Sequence, residues 1–281
     1  MSNSIHPSAI IGKNVQMGQS NVVGPGCVID DDVVFGSHNR LWMNVYIGPG
    51  TTLGNNNQIH MGAVIGHIPQ DLTYDGAASF TKIGNNNTFR EYVTIHRGTK
   101  ENTATAIGDE NIFMASAHAG HNCTIGNKVI IVNLVSLAGY CVVEDGALLS
   151  GTVVVHQFTC IGRLAMVSGL SAVNKDVPPF MLAGGRPAVI QGLNAVGMRR
   201  AGIDAKARQD IKQVYKLLYR EGLNVPHALE AIDKQCGSAE AKAIADFIRA
   251  SKRGICAGIG AELEEGEEPE SILPRKPRQQ M

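Results

Sequence analysis

The chain has 281 residues, and its 25 lysines and arginines balance its 25 aspartates and glutamates, so nothing in its charge favours a polyanion such as nucleic acid. Aromatic residues make up 5% and glycines number 32, which suits tight coils with little room inside rather than a broad aromatic core. No stretch is long and apolar enough for stable membrane insertion, and residues 1–10 lack the basic and then apolar order of a signal peptide, so a cytoplasmic protein is expected.

In chain order, an aliphatic or similar apolar residue recurs at every sixth position from the start: Ile5, Ile11, Met17, Val23, Ile29, Phe35, Leu41, Ile47, Leu53, Ile59 and Ile65. A fixed period of this kind means stacked units, each too small to bury its apolar side alone. Glycine follows at Gly12, Gly18, Gly24, Gly48 and Gly54, which reads as tolerance of corner dihedrals. The runs Asn55-Asn56-Asn57 and Asn85-Asn86-Asn87 suit left-handed turns. The register is lost over 67–82 and resumes at Ile83, which marks a loop thrown out from one corner. Its Asp71 either orients a sugar hydroxyl or a histidine, or only caps the loop. A second excursion spans 100–106.

From Ile107 to Val173 the hexads run without a break. Small or β-branched residues such as Ala117, Cys123, Val129 and Val135 stand four positions after the aliphatic ones, and both positions face the core. Ala119 is the one slip in this series. His118 and His121 fall outside both positions and so project outward. Beyond Val173, Pro178 and Pro179 have no N–H for a ladder, so the sheet is expected to stop there, with 183–187 as a crossing loop. From about Gln191 the period is helical. Asp204 caps a helix to about Glu221, and further helices cover 226–235 and 239–253. The expected organisation is a repeat domain over 1–190, an α-helical cap over 191–254 and a disordered tail over 255–281. Arg199, Arg200, Arg208, Lys212, Lys216 and Arg220 on the cap suit an acidic carrier or a phosphate, although a solvated helix face accounts for most of them. The six cysteines show neither CxxC nor zinc spacing, so reduced thiols and no metal are expected.

The hexapeptide period resembles that of the left-handed parallel β-helix, a mainly β fold with three hexads, roughly 18 residues, to each triangular coil. The resemblance implies the left hand, against the usual right-handed crossover. Residues one coil apart then stack at about 4.8 Å. His121, Gly139 and Gln157 form one such column, which places a candidate base beneath a glycine amide. Ile112, Ile130, Leu148 and Met166 form another. So apolar an outward column points to an interface between copies or to a groove for a hydrocarbon chain.

A set of motifs sharpens the resemblance. Gln70-Asp71-Leu72, Thr94 to Thr99, Ala117-His118 with His121, Leu137-Ala138-Gly139, Val155 to Phe158, Asp176 to Pro179 and Gly192 through Arg200 occur in that order. Together they resemble the acyl-carrier-protein–UDP-N-acetylglucosamine O-acyltransferases that begin lipid A synthesis. The resemblance implies a cytosolic homotrimer with active sites between neighbouring prisms. It implies transfer of a 3-hydroxyacyl group from the phosphopantetheine thioester of acyl carrier protein to the glucosamine 3-hydroxyl, without metal or other cofactor. His121 matches the general base and the Gly139 amide the oxyanion donor. Gln70, Asp71, His118, His156 and Gln157 match substrate-positioning residues. Asn194 and Arg200 match contacts to the nucleotide end, and Met166 and Gly169 match the acyl-chain groove, glycine leaving room for a long chain.

Four positions depart from the family pattern: Asn122 for an acid after the histidine, Tyr140 for a histidine after the glycine, Thr73 for a lysine and Val196 for a glutamate. They leave open a 3-amino sugar acceptor. Other readings of the repeat are an acyl-CoA-dependent acyltransferase for another nucleotide sugar, a non-catalytic scaffold and a trimeric zinc carbonic anhydrase, using His96, His118, His121 and His156.

Overall fold

The computed structural model describes residues 2–260. Each hexad contributes one short strand and one corner, and the strands form three faces of eleven, nine and eight strands among the described residues, parallel throughout except for the last strand of the first. The architecture is a left-handed parallel β-helix. Its coil is 18 residues: Ser4 pairs with Val22, Val22 with Arg40 and Arg40 with Gln58. Ile29, Leu41, Ile47, Leu53, Ile59 and Ile65 point inward and are buried, as are Cys27, Val33, Val45 and Ala63 at the second inward position. Ala119 keeps the register, pairing with both Ile95 and Leu137. The small residue changes the filling of the prism without shifting its phase. All six cysteines are free thiols.

The two excursions preserve that phase. Gln58 pairs with Thr88 and Thr88 with Ile112, steps longer than one coil by two hexads and by one. The strands resume earlier than the repeat suggests, at Phe80 and Ala104, because Thr81 pairs in register with Thr51 on one side and with Thr105 on the other.

Corners need a residue in the left-handed region, and Asn56 and Asn86 supply it with φ 57° and 58°. Tyr92, Leu134, Tyr140 and Leu170 adopt it too. Only a surrounding ladder that over-determines the backbone holds such side chains there. The glycines that follow the aliphatic positions do something else. Gly12, Gly18, Gly24, Gly48 and Gly54 lie outside the left-handed region, but a Cβ on Gly24 would overlap the carbonyl oxygen of Trp42, and one on Gly48 that of Gly66. These glycines answer to the next coil passing close beneath them. Inside the prism Asn21, Asn39, Asn57, Asn87 and Asn111 are buried in one stack. Each carboxamide oxygen accepts the backbone N–H of the next, so no polar atom of the stack lacks a partner where burial would make that costly.

The two prolines do not end the ladder. They occupy a corner, where no ladder donor is required, and Met181–Gly185 continues the eleven-strand face beside Met166–Val167. Residues 183–187 are therefore a strand end and hairpin turn rather than a crossing loop. Ala188–Leu193 returns antiparallel, and helix begins only after it. Four helices follow among the described residues: α1 Ala195–Arg200, α2 Ala205–Tyr219, α3 Val225–Gln235 and α4 Ala239–Ala250. Asp204 caps α2, its carboxylate accepting the Ala207 N–H at 2.9 Å. The start of the expected tail is also structured. The Cys256 N–H donates to the Asp176 carbonyl, and the Ile190 N–H to that of Ala257. Cys256 is buried there. The rest of the tail, 261–281, lies outside the described residues.

Candidate active site

His121 sits at the corner between the nine-strand and eight-strand faces, just past the strand His118–Ala119. Its neighbours Ala119 and Cys123 point into the prism, so the imidazole lies outside it, as its place in the hexad predicts. It is nevertheless only 7% exposed, because the first excursion folds over it. That loop brings the Asp71 carboxylate 3.6 Å from Nε2 of His121. The other Asp71 oxygen accepts the Thr73 N–H and hydroxyl at 2.9 and 2.8 Å. Those bonds, chiefly the backbone one, hold Asp71 below the usual carboxylate range, and the charges of His121 and Lys100 act in the same direction.

The loop is latched by His96, buried in the strand Thr94–His96. The backbone N–H of Gln70 donates to its Nδ1 at 3.2 Å. An N–H only donates, so Nδ1 is unprotonated in this contact. Burial, with His118, His67 and His121 nearby, pushes the His96 pKa down to about 4. His118 stands edge-on to His96 at 5.0 Å, with its Nδ1 2.7 Å from the Thr94 hydroxyl. Burial lowers its pKa as well, helped by His121.

One coil on, Gly139 lies against the imidazole. A Cβ there would overlap Cε1 and Nε2 of His121, so only glycine leaves the ring its place. The flanking N–H groups of Ala138 and Tyr140 are spent on Val155 and His121 carbonyls. That of Gly139 has no acceptor among the described residues. A free donor beside a candidate base is what developing oxyanion charge requires. His156 is exposed and Gln157 partly so, one coil further along the same corner, with His156 Nδ1 3.1 Å from the Gln157 carbonyl oxygen. The Gln70 side chain is exposed.

The remaining predicted residues lie elsewhere. Met166 is on the eleven-strand face, in the column Ile112, Ile130, Leu148, Met166, which Leu182 extends. Gly169 is at the corner between that face and the nine-strand face. Asn194 follows the last strand and caps α1, its oxygen accepting the Gly197 N–H at 2.9 Å and its amide donating to the Leu164 carbonyl at 2.8 Å. Arg200 is exposed at the end of α1. Among the described residues no three His, Cys, Asp or Glu side chains converge as a metal site would require, and no helix is long and apolar enough to cross a membrane. Sequence reasoning missed the latch of His96 on Gln70 and the contact of Thr94 with His118. The second follows from counting the one-hexad excursion between these two strands, and the first depends on the fold of the longer loop, which has no period.

A prism of hexapeptide coils with an imidazole against a free glycine amide at one corner defines a hexapeptide-repeat transferase. Residues 32–67 match the family model described as bacterial transferase hexapeptide (six repeats), and residues 176–256 that of UDP N-acetylglucosamine O-acyltransferase, domain 2. An acyl-carrier-protein–UDP-N-acetylglucosamine O-acyltransferase of Gloeothece citriformis is 46% identical over 189 residues, 67% of this chain and 68% of that one. The crystal structure of the Francisella novicida UDP-N-acetylglucosamine acyltransferase superposes with a TM-score of 0.87 at 37% identity, covering 91% of this chain and 95% of the other. One from Bacteroides fragilis gives 0.81 at 40%, covering 90% and 97%. The chain belongs to the acyl-carrier-protein–UDP-N-acetylglucosamine O-acyltransferase family.

Two outcomes follow from this geometry. Gly139→Ala should displace the imidazole and cost about 100-fold or more in kcat with an unchanged circular dichroism spectrum. His96, with a folded pKa of about 4 against 6.5, binds fewer protons than the unfolded chain between those values. Its stabilising contribution is complete above about 6.5 and is lost as pH falls toward 4. The melting temperature should drop over that window, and less steeply in His96→Gln.

Proposed function

We propose that this corner transfers an acyl group from a carrier-protein thioester to the 3-position of the glucosamine ring of UDP-N-acetylglucosamine, the step that opens lipid A synthesis. The observation that carries it is the His121 imidazole packed against Gly139, whose N–H is unpaired among the described residues, with the Asp71 carboxylate 3.6 Å from Nε2. A sugar hydroxyl is a poor nucleophile at neutral pH, and an imidazole titrates in the right range to relieve it of its proton. Nε2 takes the hydroxyl proton while the oxygen bonds to the thioester carbonyl carbon. The carbonyl electrons move onto oxygen, where the Gly139 N–H stabilises them by about 3 kcal/mol. Asp71 faces the imidazolium formed in this step and offsets its charge. When the intermediate collapses, the C–S bond breaks and the proton passes from Nε2 to the departing thiolate. Gln70, His118, His156 and Gln157 line the same corner and position the sugar and pantetheine.

Met166, Gly169, Asn194 and Arg200 belong to the same site through a second copy. Met166 and Gly169 lie on another face and corner of their own prism and Asn194 and Arg200 at the two ends of α1, and packing between neighbouring copies brings the two halves together. A closed trimer supplies three such sites and covers the apolar column, in which Ile112 is 39% exposed in the single chain. The exposed Arg199 and Arg200 at the end of α1 suit an acidic carrier or a diphosphate. The reaction runs in the cytoplasm on soluble donors, with the helices acting as a cap.

The test offers purified protein a series of 3-hydroxyacyl carrier proteins with UDP-N-acetylglucosamine or its 3-amino analogue. Product is expected with the 3-hydroxyl acceptor and none with His121→Ala, whose trimer stays intact by sedimentation. An active His121→Ala would remove the assigned base. At Gly169 a Cβ would press on the Gly151 carbonyl oxygen at 3.2 Å and touch Ser150 at 3.9 Å, so Gly169→Met needs only a small local shift. It should shift the preferred donor to shorter chains in competition assays.

A further inference from the structure

We propose that Asn122, Thr99 and Tyr140 are positioning residues that hold His121 in the tautomer with its proton on Nδ1, so that the Nε2 lone pair faces the acceptor. This rests on His121 being the base. One oxygen sets the direction of the whole chain. The Thr99 backbone N–H points at the Asn122 carboxamide from 3.0 Å. A backbone N–H only donates, so the carboxamide atom it meets is the oxygen and not the nitrogen. The Thr99 hydroxyl donates to the same oxygen at 2.9 Å. With its proton committed, Thr99 Oγ1 is the acceptor in its 3.1 Å contact with the Tyr140 hydroxyl.

Nδ1 of His121 lies 3.1 Å from that Asn122 oxygen. An amide oxygen carries no proton, so the contact is attractive only when Nδ1 carries one. On the opposite side, Asp71 is 3.6 Å from Nε2, beyond hydrogen-bond length, and does not compete to hold a proton there. The relay is rigid. The Asn122 N–H is anchored on the Thr105 hydroxyl at 2.8 Å, Thr99 and Thr105 are buried, and the Tyr140 ring stacks on Phe158 at 5.0 Å. The Tyr140 ring also meets the imidazole edge-on at 5.3 Å, fixing its plane. Two of the family's usual residues are thus replaced together, the acid by Asn122 and the following histidine by Tyr140. The replacements join through Thr99 into one neutral hydrogen-bonded chain that orients the base. The anionic partner of the imidazolium comes instead from the Asp71 loop.

The test uses full-length protein labelled with 15N-histidine. The ring nitrogens of His121, assigned by their loss in His121→Gln, should report a protonated Nδ1 and a bare Nε2 in the unprotonated imidazole. Asn122→Leu keeps the backbone, because Leu134, Leu164 and Leu170 already occupy the equivalent left-handed corner with φ 61°, 53° and 60°. It should mix the tautomers and lower kcat at least about tenfold with KM little changed. Thr99→Val should do the same more weakly. Asn122→Asp should keep the tautomer and move the acid limb of the kcat/KM profile to higher pH, because a carboxylate stabilises the imidazolium. The other titratable groups facing the ring, Asp71, His96, His118 and Tyr140, and Lys100 opposite Asp71, are unchanged in that variant. A proton on Nε2 in the wild-type protein would overturn the relay even if His121 proves to be the base. So would Asn122→Leu with unchanged tautomer and kcat, or an effect on KM alone. An active His121→Ala would overturn the underlying reading instead, whatever the tautomer.

Discussion

Everything in this molecule depends on one repeated hydrogen bond, from a strand N–H to a carbonyl one coil on. Ser4 to Asn21, His118 to Val135 and Ser136 to Val153 are instances at 2.8 to 2.9 Å. The bond is ordinary, but its spacing is not negotiable. It fixes which side chains stack, so an imidazole at one corner must have a particular residue beside it. That residue here is glycine, and its amide is free because its neighbours alone are in register to pair.

The same constraint explains what the coils tolerate. Corners accept tyrosine, leucine and phenylalanine in a left-handed conformation because ladders on both sides leave no alternative. Loops can be inserted where a whole number of hexads is added and the inward positions stay in phase. The first excursion adds two hexads and spends that freedom on carrying Asp71 to His121. The second adds one and follows directly on Thr99, which reaches Asn122. Both irregularities of the prism therefore converge on one imidazole.

Much of this was legible from the period. Inward positions such as Ile131 and Cys123, the outward place of His121 and its column with Gly139 all follow from counting. What escaped was of two kinds. Some features depend on contacts between coils rather than on local conformation. Gly24 looks like a corner residue but answers to the Trp42 carbonyl, and Asn122 looks like the loss of a charge but gives both donors of Thr99 an oxygen that also lies 3.1 Å from the His121 ring. Others depend on segments with no period. Pro178 and Pro179 look like a stop but merely take a corner, and the chain near Cys256 looks featureless but pairs with Asp176. Periodicity reports which way a side chain points, and it is silent on what arrives from outside to meet it.

The pairing near Cys256 has a mechanical consequence. α1 to α4 leave the prism after Leu193, and the chain comes back to it at Ile255, where it bridges to Asp176, while the Ser251 hydroxyl donates to the Asp176 carboxylate at 2.6 Å. The helical bundle is thus fastened at both ends, and α4 seats it in between, with Phe247 and Ala250 lining one cavity with Pro179 and Phe180 of the prism. Arg199 and Arg200, carried on α1, are held at a set place relative to the prism.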